Sequence, residues 1–166
     1  IRVIFDGDDS SHELLCLAKN NDGHRNLMQA ISSAHNNYTY QTPIINFKDL
    51  KNFKDNIVVV SGGKDSHIFE LSKQNKINEI EKKIDDFLTV FKNDFFIEVQ
   101  KTNRSDEIDF FSNILPLSNK KGIPLIATND VLFSSKDDYE IHETKVCINT
   151  GKTLNDPNRE KPFSDE

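Results

Sequence analysis

The chain has 166 residues and a mass of 19.0 kDa, enough for one domain with a core and too little for two of ordinary size. Hydrophobic residues make up 36% and charged residues 29%, no apolar run approaches the ~20 residues of a membrane-crossing helix, and no basic-then-apolar leader opens the chain. A membrane protein is therefore excluded and a cytoplasmic location expected, while 21 Lys+Arg against 27 Asp+Glu, a net charge of -6, argues against gripping a phosphate backbone through the overall field.

Ile1 to Phe5 and Leu14 to Ala18 read as two strands joined across the polar turn Asp6-Gly7-Asp8-Asp9-Ser10. Asp22 is placed to cap a helix with Leu27, Met28, Ile31 and Ala34 on one face, ended by Asn36-Asn37. After a loop around Pro43, Ile57-Val58-Val59-Val60 is apolar on both faces, the pattern of a strand buried between layers, and Ser61-Gly62-Gly63 stops it. A helix through Phe69 and Leu71 follows. Ile77, Ile80, Ile84, Phe87, Leu88 and Phe91 then recur at spacings of three and four, the clearest amphipathic helix in the chain.

Phe95 to Val99 reads as the next strand, Ile108 to Leu117 as a helical stripe, and Leu125-Ile126-Ala127 as a third buried strand. This alternation predicts an α/β fold of parallel βα units, with functional groups gathered at the strand ends Ser61, Gln100 and Asp130. Ser135 with Asp138 resembles a capping box for a last helix through Ile141 and Cys147, ahead of a polar tail from Gly151. Cys16 and Cys147 sit in apolar surroundings and read as reduced core residues, with a disulfide as the less favoured reading.

Gly151-Lys152-Thr153 has the ending of a phosphate-binding loop, but Val146 stands where the first glycine is needed, so it reads as a helix-ending turn. Ser61-Gly62-Gly63-Lys64 reads as a turn needing positive φ, with an anion at the following helix start as the alternative. The histidines His12, His24, His35, His67 and His142 show no zinc-type spacing, and His142 reads as a solvated or hydrogen-bonded side chain between Glu140 and Glu143. Glu98 and Asp130, near the ends of successive strands, are candidates to converge.

In order and spacing, Leu17-Ala18-Lys19-Asn20 with Gly23 to Leu27, then Val60 to Gly63, Phe96 to Val99, Gly122 to Asp130 and the tail Gly151 to Pro157 resemble one family. It is the PHP (polymerase and histidinol phosphatase) domain of the bacterial DNA polymerase III alpha subunit. The resemblance implies a PHP-type β/α barrel of which residues 1–166 are the later part, incomplete because its first strands would precede Ile1. The palm, thumb and fingers would lie beyond Glu166.

Members with a working metal site carry a His where Glu13 stands, with His12 one place off, a Cys where Gly63 stands, and an Asp-x-His where this chain has Asp130-Val131-Leu132. Asp130 alone is kept. The resemblance thus implies a fragment without metal, cofactor or catalysis of its own, a structural and docking platform for the epsilon proofreading exonuclease and other replicase subunits. The parent would be a magnesium-using DNA-directed DNA polymerase that meets DNA itself, with no membrane contact. The alternative is an active metal-dependent phosphoesterase or proofreading exonuclease using Glu13, Asp130 and His12 or His142.

Overall fold

Two small sheets meet through a seam of phenylalanine rings in the computed structural model, which describes residues 1–36, 43–102 and 104–159. Asn37 and the loop running up to Pro43 lie outside the described residues, as does the tail after Arg159. In the first sheet, β1 (Arg2–Ile4) lies between β2 (His12–Glu13) and β4 (Ile44–Asn46), antiparallel to the former and parallel to the latter. The second has the order β3 (Leu15–Ala18), β5 (Ile57–Val60), β6 (Phe95–Gln100), β7 (Leu125–Thr128). Here β5, β6 and β7 run parallel and β3 antiparallel to β5.

The expected hairpin is thus split. β1 pairs with His12–Glu13, Val3 opposite His12, whereas Leu15–Ala18 crosses to the other sheet with Leu15 opposite Val60. The pivot is Leu14, which is buried and exchanges backbone hydrogen bonds with Ile1, while the Glu13 amide donates to the Asp65 carbonyl. A chain committed to two partners on either side of one buried residue cannot continue a single ladder.

Helix α1 (Asn21–Asn36) is capped by Asn20, whose Oδ1 accepts from the amides of Asp22 and Gly23 at 3.0 Å each, in place of the expected Asp22. Its inner face also differs from expectation. Gly23, Ala30 and Ala34 are buried and Leu27 packs beside the core, while Met28 and Ile31 are 55% and 42% exposed. Small residues bring the helix close to its sheet, and that approach leaves the longer side chains outside.

The short α2 (Phe47–Leu50) places Phe47 in the seam, and α3 (His67–Lys73) and α4 (Ile77–Phe91) follow β5. Ser66 caps α3, its Oγ accepting from the Phe69 amide at 3.2 Å in a site without solvent access. Ser66→Ala is expected to cost about 1 kcal/mol in urea unfolding at constant m-value, since the Phe69 donor is left without that acceptor.

Along α4 the three-and-four spacing buries Ile80, Ile84, Phe87 and Phe91 as the periodicity predicts, while Ile77 and Leu88 are half-buried and Val90, outside the predicted stripe, is buried. Helix α5 (Ser105–Lys121) buries Phe110, Ile114 and Leu117, but Ile108 is 71% exposed and stands off the stripe expected of it.

β7 is an end strand with Ala127 exposed and its other residues half-buried, a correction to the buried strand expected there. Its far side has no strand partner among the described residues, and the sheet ends at β3 and β7 without closing on itself. The parallel βα units expected of a PHP-type fold are present in this sheet; a closed barrel is not formed by the described residues.

Ser135 and Asp138 do form a capping box, which opens a single 3-10 turn before α6 (Tyr139–Thr150). Cys16 and Cys147 are both free thiols, and burial pushes the Cys16 thiol up to about 11, into the inert form.

Candidate functional site

The turns that follow β5 and β7 and the end of β6 open onto a cleft of about 580 Å³ between the two sheets, lined by Glu13, Gly63, Glu98, Gln100 and Asp130 among others. Local sequence explains the convergence. Gly62 has φ 85°, and a side chain there would begin 2.8 Å from the Glu13 carbonyl oxygen, so only glycine lets the β5 turn touch β2. β2 then presents Glu13 to the cleft and, by strand alternation, sends His12 to the opposite face.

The buried Glu98 carboxylate is bonded to its neighbours through one oxygen. Its Oε1 accepts from Gln100 Nε2 at 2.9 Å and from Thr128 Oγ1 at 2.5 Å, and its amide donates to Ser61 Oγ at 3.0 Å. The Gln100 amide also fills the space beside Gly63, where a Cβ would lie 2.9 Å from it. Glu13 reaches toward Arg2 at 3.6 Å, and Asp130 stands exposed at the rim.

The residues singled out in the sequence thus divide. Glu13, Gly63, Glu98 and Asp130 share one cleft. Leu132 is 42% exposed and does not line it, and His142 lies elsewhere, packed 5.6 Å from Phe133. Gly151 ends α6 at φ 67° and Lys152 bonds the Asn158 carbonyl, so Gly151-Lys152-Thr153 is the expected helix-ending turn.

Among the described residues, Glu13, Glu98 and Asp130 do not bring their oxygens together within ligand range. Glu98 already spends one oxygen on Thr128 and Gln100, and neither Gly63 nor Leu132 carries a donor atom.

A second cluster lies on the other face of β2 and was hidden in the sequence. His12 stacks on His67, ring centroids 4.3 Å apart and planes at 6°, and His67 Nδ1 lies 3.4 Å from Asp8 Oδ2. Burial, reinforced by His12, Lys83 and Lys76, pushes His67 down to about 3; burial also lowers His12, although Asp8 and Glu70 oppose this. Lys83 sits 3.9 Å over the Phe5 ring, and its pKa is lowered by burial although Asp8 and Asp86 favour the ammonium. Asp8 and His12 lie close in the chain, but His67 and Lys83 come from α3 and α4, and the packing of those helices brings them there.

An open sheet of parallel βα units with a cleft at the strand ends defines an α/β site-bearing domain, and the PHP domain family model matches residues 1–102. The chain belongs to the PHP domain family. It is 34% identical over 158 residues, 95% of this chain, to the DNA polymerase III subunit alpha of Pasteurella multocida. The proteins of that name from Haemophilus influenzae and Escherichia coli K12 are 32% and 31% identical, over 95% of the chain each. The chain spans 14% of the length of these relatives. No helix of the described residues is long and apolar enough to cross a membrane.

Proposed function

We propose that this chain is the later part of the PHP domain of a replicative DNA polymerase alpha subunit, and that it acts there as a structural and docking platform without hydrolytic chemistry of its own. The parent protein adds deoxynucleotides to a primer with magnesium held by its palm. The platform carries the epsilon proofreading exonuclease and other replicase subunits in the cytoplasm, and DNA is met through the parent. The polymerase assignment draws on the relatives' names and on the extent of the match.

The absence of catalysis rests on one observation: the Gln100 amide fills the space beside Gly63, at a position where working members of the family carry a Cys.

The test is hydrolysis of phosphodiester and phosphomonoester substrates by the complete domain with Mn²⁺ or Zn²⁺, for the wild type and for Asp130→Asn. The expected result is no turnover that depends on Asp130. Turnover abolished by Asp130→Asn would establish the phosphoesterase or exonuclease reading, with Glu13 and Asp130 as ligands.

A further inference from the structure

Asp8, His12 and His67 come from three segments: the turn after β1, the strand β2 and the first residue of α3. Their potential ligand atoms all lie within 4.8 Å of one another. Asp8 Oδ2 and His67 Nδ1 are shielded from solvent and have no hydrogen-bond partner, yet they face each other at 3.4 Å. Two buried polar atoms left this way are costly, and such exceptions call for a physical reason. We infer that Asp8, His12 and His67 form a binding site for a single divalent transition-metal ion of the zinc class, on the face of β2 opposite the cleft.

The chemistry of the donors selects the ion. One carboxylate and two imidazoles are borderline ligands that suit Zn²⁺ and leave a fourth position open to water. Bonds of about 2.0–2.2 Å meeting at a tetrahedral angle put two donor atoms about 3.4 Å apart. Asp8 Oδ2 and His67 Nδ1 already have that separation. Ser10 Oγ, 3.4 Å from His12 Nε2, is placed to fix the tautomer of that ring.

The charges around the cluster pull in both directions. Asp8 and Glu70 favour a cation, while Lys83, Lys76 and Arg2 oppose one. Lys83 is the informative member of that set, because it bears on the site without supplying a ligand.

The test is titration of the full chain with Co²⁺ followed by visible absorption, then displacement by Zn²⁺. One ion per chain is expected, with the strong ligand-field bands of tetrahedral cobalt, lost on adding zinc. Asp8→Asn, on a partly exposed turn, is expected to weaken binding by at least about 100-fold while the far-ultraviolet circular dichroism stays as in the wild type. Lys83→Gln is expected to tighten it several-fold, a gain that misfolding cannot imitate, and Asp130→Asn in the cleft to leave it unchanged. No saturable band in the folded wild type, a band indifferent to Asp8→Asn, or one removed by Asp130→Asn would overturn the site.

Discussion

Phe87→Ala is expected to lose about 4 kcal/mol of unfolding free energy, read from the urea midpoint, with an m-value that falls if the two sheets come apart separately. The side chain is 2% exposed in the middle of α4. On one side it stacks on Phe95 of β6 at 4.6 Å; on the other it meets Phe5 at 5.7 Å and Phe47 at 5.2 Å, both edge-on. Phe5 and Phe47 adjoin the strands of the first sheet and Phe95 opens β6 of the second, so one ring holds the seam between them. Aromatic pairs of this kind contribute beyond the area they bury, and folded domains hold only about 5–15 kcal/mol in total. Ile108→Ala, at a position 71% exposed, is the control and should stay within about 0.5 kcal/mol. Equal losses for the two would mean that Phe87 is not in the seam.

Gly23→Ala should reverse the usual sign of its substitution. Within a helix, replacing glycine by alanine ordinarily stabilises by about 0.5–1 kcal/mol. In α1 a Cβ on Gly23 would lie 2.0 Å from the Asn56 carbonyl oxygen and 2.9 Å from its carbon. That carbonyl has little room to retreat. It already accepts from the Lys19 amide at 2.9 Å, Asn56 itself sits at φ 59°, and the neighbouring Asp55 carbonyl is held by Asn26 Nδ2 at 2.8 Å. The helix must therefore lift off the turn that precedes β5, and a loss of about 3 kcal/mol is expected by thermal or urea unfolding. A gain in stability would show that the helix and the turn do not touch as described.

How much was legible in the residues follows from the range of the forces involved. The α4 stripe, the β5 strand, the Ser135–Asp138 box and the Gly151 turn each depend on neighbours within a few positions, and each appears where the pattern puts it. The glycine at 23 was part of a family pattern, but its reason is a carbonyl at residue 56, outside any local window. Ile108 and the strand β7 looked buried because apolar type was all that could be read; their exposure is settled by what packs across them.

The candidate site divides the same way. That Gly63 and Leu132 carry no ligand atom is plain from their side chains. The bonds from Thr128 and Gln100 to Glu98 are not, because Thr128 arrives from β7 by strand register and meets Gln100, two residues along β6 from Glu98. His12 makes the contrast sharpest. Beside Glu13 in the chain it looked like a ligand displaced by one position, but alternation along β2 turns neighbouring residues to opposite faces, and α3 then brings His67 to meet it.

By itself, then, the sequence determined the element types and the family, because these follow from residue identity and short-range periodicity. Only the tertiary structure decided the split of the first hairpin between two sheets, the aromatic seam and the Asp8–His12–His67 cluster. Each of those joins segments distant in the chain, and their meeting is set by packing of the whole, which no local pattern encodes.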